Sequence, residues 1–251
     1  MLNRTDTIAS FAKGLRVLEC FGAEHPRRSV SEVAAATGLD RATARRCLLT
    51  LHAEGYASYD GKYFALTPQA LRLGMSALNA LPLPQRVQPW LDQLSEQIGQ
   101  SCSVAILDET EIVYIARAAQ RRVMSIGLMP GSRLPAHATS MGRVLLASLA
   151  EAEARELIAR ADLTPRTPKS LTDPDDIMES VRAAHRNGYC LIDEEVETGL
   201  RAIAVPVLDG RGRTVAALNT GMAVTRAPAE SLIETYLPAL LKVQQNLKRI
   251  V

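Results

Sequence analysis

Apolar positions recur along this chain first at helical spacing and then at strand spacing, and each change of rhythm marks an element. After Ser10, the positions Phe11, Leu15, Leu18 and Cys20 or Phe21 predict a short helix that Gly22 ends. Ser29 or Ser31 can cap a second helix over 31–37, with Val33, Ala34 and Ala36 apolar and Gly38 as its stop. Asp40 is a good cap for a third helix that runs to about Glu54. Two β-prone runs, 55–59 and 62–66, then flank the turn pair Asp60-Gly61, which signals a hairpin. Helix, turn at Thr37-Gly38-Leu39, helix and hairpin in this order make a winged helix-turn-helix.

A fourth helix is predicted from Thr67-Pro68 through Leu71, Leu73 and Met75 towards Leu81, where Pro82 and Pro84 break it. The organisation is therefore a winged unit over 1–67, a linker helix over 68–84 and a larger unit over 85–251. In that unit Trp90, Leu91, Leu94 and Ile98 form one helical face. Strands are expected over 101–107, 111–118 and about 122–128, then a loop over 130–138. Helices follow over 139–147 and 151–161, and a third opened by Asp173 or Pro174 reaches Asn187, where Gly188 ends it. Strands over 189–192, 201–208 and 213–220 and a closing helix over 227–250 complete an α+β arrangement with an antiparallel sheet.

Composition narrows the class more than the function. The 251 residues are 47% hydrophobic with a net charge of +2, so the chain can bury a core and is not disordered. Mean hydropathy is +0.00, no run is long enough to span a membrane, and residues 1–10 lack a secretory signal, which points to the cytoplasm. Cys20, Cys47, Cys102 and Cys190 are far apart, as are His25, His52, His137 and His185, so neither disulfide nor metal is expected. The charge is unevenly placed. Residues 1–80 hold ten Lys or Arg against seven acids, +3, and the remainder holds 19 against 20, −1.

That excess matters because of where the third helix puts it. At 100° per residue Ala44, Cys47, Leu48 and Leu51 point inward, and Ala42, Arg45, Arg46 and Leu49 point outward, flanked by Thr43 and Thr50. Arginine forks suit guanine edges, and small residues let a helix enter the major groove. The predicted contacts with double-stranded DNA are Ser31, Arg41, Ala42, Thr43, Arg45, Arg46, Thr50 and Lys62, with Arg27 and Arg28 on phosphates.

With these motifs in view, the whole chain resembles an IclR-type transcriptional regulator. The matching stretches are Ser31-Glu32-Val33-Ala34, Gly38-Leu39-Asp40-Arg41-Ala42-Thr43, and Leu134 through Thr139-Ser140-Met141-Gly142-Arg143 to Ala147. Gly188-Tyr189, Asp193-Glu194-Glu195 and Gly199 through Val207 also match. Thr139 to Ala147, Val123-Met124-Ser125 and Ala217-Leu218-Asn219 most resemble the branch that regulates protocatechuate, 4-hydroxybenzoate and β-ketoadipate pathway genes.

The resemblance implies a GAF-like effector-binding unit after the linker helix, a small carboxylate effector, and a homodimer or tetramer acting on operator DNA, with RNA polymerase as a further partner. It places Ser140 and Met141 at a loop-to-helix junction whose amides face the ligand carboxylate, and Ala202 and Asn219 in the pocket wall. Where some relatives carry a pocket aspartate this chain has Ile192, with Asp193 beside it. His137 joins the expected pocket set, although it also reads as a buried structural histidine, and Met141 also reads as core. Asp193, Glu194, Glu195 and Glu197 read either as pocket acids or as a turn paired with Arg201. Arg133 and Arg143 are candidate carboxylate partners.

Two other classes compete. A hydrolase could be drawn from Ser140, His137 and Asp193, but there is no Gly-x-Ser-x-Gly elbow and no cofactor fingerprint, so no catalysis and no cofactor are expected. A winged helix could also serve as a protein-interaction module.

Overall fold

Side-chain caps decide where the second and third helices begin in the computed structural model, which describes residues 7–22, 25–120, 127–224 and 228–251. The chain divides into two units, Met1–Ala80 and Leu81–Val251. The first contains α1 (Ala9–Glu19), β1 (Arg27–Arg28), α2 (Val30–Thr37), α3 (Arg41–Ala53), β2 (Ala57–Tyr59), β3 (Phe64–Leu66) and α4 (Pro68–Ala80). Ser29 is the cap of α2. Its hydroxyl accepts the Glu32 N–H while its own N–H donates to the Glu32 carboxylate at 2.7 Å. This reciprocal box satisfies two donors the helix leaves open and places Ser31 inside the helix rather than at its cap. Gly38 ends α2 at φ 65°, a conformation that costs glycine nothing. Asp40 Oδ1 then accepts the Thr43 N–H at 2.9 Å and starts α3.

The wing has one more strand than the hairpin signal predicts. β1 pairs antiparallel with β3, Arg27 opposite Ala65 and Arg28 opposite Phe64, giving the order β1-β3-β2. Residues 27–28 are thus an edge strand, too short for a sequence period to betray. Val17, Val33, Ala44, Leu48 and Phe64 join helices and wing in one small core.

Pro82 does more than interrupt. It opens α5 (Pro82–Ile98), where proline's missing N–H is no loss in the first turn, so a single residue, Leu81, separates two helices. β4 (Ser101–Asp108) and β5 (Glu111–Ala118) follow. The strand expected at 122–128, and the Val123-Met124-Ser125 match, fall mainly on 121–126, outside the described residues. The expected loop after Pro130 contains a short strand β6 (Arg133–Pro135) and a 3-10 turn, Ala136–Ala138. Then come α6 (Ser140–Leu146), α7 (Glu151–Arg160), α8 (Pro174–Asn187), β7 (Cys190–Asp193), β8 (Leu200–Leu208), β9 (Thr214–Ala223) and α9 (Ser231–Leu247).

The six strands form one antiparallel sheet ordered β6-β5-β4-β9-β8-β7. Helices α5 and α9 pack against β4, β5, β8 and β9, and α6 packs on β8 and β9 with α8 beyond it. β8 is buried along most of its length for that reason, reading after Arg201 as an apolar run from Ala202 to Leu208 rather than an alternating one. Gly142 allows α6 to lie against the 3-10 turn. A Cβ there would stand 2.1 Å from the Ala136 carbonyl oxygen.

Candidate functional site

Two surfaces carry the predicted chemistry, one in each unit. On α3, Arg41, Ala42, Arg45, Arg46 and Thr50 are exposed, as are Ser31 on α2 and Lys62 on the wing. Thr43 is only 9% exposed, so the structure removes it from the outward stripe. It sits at the third position of α3, over the core, and with Arg46 and Thr50 borders a groove whose other wall is Phe11, Leu15 and Leu18 of α1. Arg41, Ala42 and Arg45 do not border that groove. The outward stripe is therefore 41, 42 and 45, with Arg46 at its margin.

The other basic residues divide in the same way. Arg28 donates from Nε to the Cys20 carbonyl at 2.9 Å and so closes the end of α1. Arg27 pairs with Asp60, whose Oδ1 also accepts the N–H groups of Lys62 and Tyr63 and shapes the wing turn. Lys62 Nζ lies 4.9 Å and Arg27 Cζ 5.3 Å from the Tyr63 ring centre, so both cations are within cation–π range of one ring at the wing tip.

In the larger unit a narrow cleft of about 40 Å³ lies on the sheet beneath the start of α6. Strand register explains its floor. Ser101, Gly221, Ala202 and Ile192 lie opposite one another across β4, β9, β8 and β7. Two residues along, Arg117, Ser103 and Asn219 do the same across β5, β4 and β9. Gly221 and Ala202 at the centre of the first row leave the space open. Leu128, Leu134, Val196 and Leu200 give it apolar walls, and Thr139 and Ser140 cover it.

A bulge completes the lining. In the β4–β5 ladder Val104 pairs with Ala116 but Ala105 pairs with Tyr114, which leaves Ile115 unpaired. The extra residue turns Tyr114 and Arg117, three apart in sequence, to the same side of the sheet, where both line the cleft. Arg117 Nη1 donates to Ser103 Oγ at 2.8 Å, and partial burial lowers its pKa. Burial also pushes the Tyr114 phenol up to about 12, so it stays neutral. Ser140 is 1% exposed and its Oγ has no partner among the described residues.

The predicted pocket set is only partly brought together. Ser140, Ala202 and Asn219 line the cleft, and so does Ile192. Met141 packs in the core behind it. Asp193 lies outside the lining and pairs with Lys169 and Arg201. His137 is buried in the 3-10 turn, its Nδ1 without a partner among the described residues. Its pKa is lowered by burial first, then by Arg143 and Arg166, with Asp162 opposing. The two arginines expected to meet a carboxylate are already engaged. Arg133 pairs with Asp108 and Glu111, and Arg143 with Glu195. Sequence reading missed Tyr114 and Arg117, because strict alternation along β5 puts them on opposite faces.

A winged-helix unit with an arginine-bearing outward helix, joined to an α+β unit that holds a cleft with an apolar wall and a few convergent polar groups, defines a DNA-binding regulator that responds to a small molecule. The comparisons agree. The model for the IclR helix-turn-helix domain matches residues 10–61, and that for the bacterial transcriptional regulator IclR C-terminal domain matches 75–249. The chain belongs to the IclR family of transcriptional regulators.

Among its relatives is the Pca regulon regulatory protein of Pseudomonas putida, 40% identical over 96% of this chain and 84% of that protein. Another is the p-hydroxybenzoate hydroxylase transcriptional activator of Acinetobacter baylyi, 41% identical over 98% and 93%. Among solved structures, the inducer-binding domain of a PobR double mutant from Acinetobacter, in complex with 3-hydroxybenzoic acid, is 39% identical. It covers 68% of this chain and 100% of that one at a TM-score of 0.64. A transcriptional regulator from Rhodococcus sp. RHA1 is 42% identical, covers 97% and 98%, and has a TM-score of 0.79. Among the described residues no helix is long and apolar enough to cross a membrane.

Proposed function

We propose that this regulator controls genes for aromatic-acid catabolism and that its effector is a small aromatic carboxylate. The observation that carries the reading is the cleft over the sheet. Its walls are apolar, and its few polar groups are Ser101, Tyr114, Arg117, Thr139, Ser140 and Asn219, the mixture that orients a small apolar ligand with one polar end. The two curated relatives named above, at 40 and 41% identity, carry the names Pca regulon regulatory protein and p-hydroxybenzoate hydroxylase transcriptional activator, which supports the same class. Ser140, Ala202 and Asn219 are the effector contacts in this proposal. Met141 and His137 hold the wall from behind, and Asp193 holds the turn.

On the DNA side Arg41, Ala42 and Arg45 read base edges in the major groove, and Arg46, Thr50, Ser31 and Lys62 meet the backbone. Thr43 acts by packing. A homodimer, paired again into a tetramer, presents two winged units to a palindromic operator in the cytoplasm. Ile8, Phe11, Leu71 and Leu73 of the N-terminal unit are 71%, 66%, 68% and 51% exposed, and such apolar exposure supports self-association. Effector binding shifts operator occupancy, or contact with RNA polymerase, to the extent that the two states differ in effector affinity.

Calorimetric titration of the full chain with protocatechuate, 4-hydroxybenzoate and β-ketoadipate tests the effector class. Saturable heat with an aromatic acid is the expected result. No heat with any of the three would remove the effector class and leave the family assignment intact.

A further inference from the structure

Among the described residues, Arg117 is the only cation lining the cleft. It is half-buried on β5, the one hydrogen bond its guanidinium makes among the described residues goes to the neutral Ser103 hydroxyl, and no described carboxylate reaches it. The other arginines near the sheet differ in this respect. Arg133, Arg143 and Arg201 each hold an acid, as Arg213 does on the hairpin beyond. A guanidinium withdrawn from water without an anion is costly, and charged side chains held in that way are normally paired. Arg117 is also aimed by two devices, the Ile115 bulge that turns it to the cleft side and the Ser103 hydroxyl that holds one of its nitrogens.

A second buried group is idle in the same cleft. Ser140 Oγ is a hydrogen-bonding atom with no partner among the described residues, above a floor of Gly221, Ala202 and Ile192. An orphan of this kind costs free energy unless something binds to it.

We propose that Arg117 is the anion-binding residue of the cleft. Its guanidinium takes the ligand carboxylate, the ring lies among Leu134, Ile192, Val196 and Leu200, and Ser140 Oγ bonds a polar substituent on that ring. The inference rests on the aromatic-acid reading above and adds the residue that selects acid over neutral analogue. A fork-shaped donor set recognises a planar carboxylate with two parallel bonds, which a backbone amide or a hydroxyl cannot reproduce. Tyr114, neutral and on the same side of the sheet, adds a phenol to the lining without competing for the anion.

The test is calorimetry on the full chain with 4-hydroxybenzoate and its uncharged analogue 4-hydroxybenzamide. The wild-type protein should bind the acid at least ~10-fold more tightly than the amide, and Arg117→Gln should remove most of that preference by weakening the acid alone. Arg117→Lys should fall between, since it keeps charge but not the fork. Ser140→Ala should weaken both ligands alike. Acid and amide binding equally to the wild type would overturn the assignment without recourse to a variant. So would a folded Arg117→Gln that retains the acid preference. Absence of binding by either ligand would instead overturn the effector class on which the assignment rests.

Discussion

Arg143 on α6 and Glu195 in the turn after β7 form a two-pronged ion pair inside the larger unit. Nη1 donates to Oε1 at 2.8 Å, Nη2 donates to Oε2, and the residues are 1% and 9% exposed. Arg143 Nε also donates to the His137 carbonyl at 2.8 Å, so one guanidinium ties together α6, the 3-10 turn and the β7–β8 turn. These are segments that form the roof and side of the cleft. Removing one partner leaves the other charge buried and alone. Glu195→Gln or Arg143→Met should each lower unfolding free energy by about 3 to 5 kcal/mol in urea titrations. The double variant Arg143→Met/Glu195→Leu should cost less than the two single changes together. Full additivity would show that the two charges do not depend on each other.

Gly142 predicts a different failure. A methyl group there meets the Ala136 backbone at 2.1 to 2.5 Å, and neither the helix nor the turn can move without disturbing Thr139 and the cleft cover. Gly142→Ala should cost about 3 kcal/mol or more through overpacking, although alanine is the better helix former by about 1 kcal/mol. A thermal melt that shows Gly142→Ala as stable as the wild type would contradict the packing described.

The basic residues of the N-terminal unit should separate by assay. Arg45→Ala and Arg41→Ala should weaken operator binding by about 1 to 3 kcal/mol and relax base preference. Lys62→Ala should weaken binding to all sequences alike and reduce the salt slope by about one. Arg28→Ala should lower the melting temperature through loss of its bond to the Cys20 carbonyl, with little change in the salt slope. Fluorescence anisotropy at several salt concentrations distinguishes the three patterns, and an unchanged affinity in both Arg41→Ala and Arg45→Ala would remove α3 from the groove.

His137 predicts an acid-side loss of stability. Its folded pKa is lowered from 6.5, chiefly by burial and then by Arg143 and Arg166. Below about pH 6.5 the unfolded chain therefore binds a proton that the folded chain does not. Stability falls as pH falls from there towards the lowered value, at no more than about 1.4 kcal/mol per pH unit, and the effect is absent above pH 6.5. Urea titrations at pH 7.5 and 5.5 should show a smaller difference for His137→Gln than for the wild type. An equal difference would place the acid sensitivity elsewhere.

The sequence carried the winged unit in some detail, because its signals are local. Ser29, Gly38, Asp40 and Asp60-Gly61 act within four residues of where they stand, through caps and turns that depend on little else. The outward arginines of α3 were legible for the same reason, since a helical period fixes a face. Thr43 was not, because its angular position is marginal and the packing of α1 and α3 decided it. Ser140, Ala202 and Asn219 were legible through family motifs, not through any periodicity of their own.

What the sequence by itself determined is most of the helices, the longer strands and the placement of positive charge on the exposed face of α3. Tertiary structure alone decided which polar groups meet. Arg117 and Tyr114 share a face because one unpaired residue, Ile115, shifts the strand period, and that shift exists only in the pairing of β5 with β4. Arg143 and Arg133 look as available as Arg117 in the sequence, yet each lies beside a carboxylate that comes from a distant or differently folded segment. An ion pair between residues 52 positions apart leaves no local pattern. The arginine that stays without an acid therefore becomes visible only once the sheet has formed.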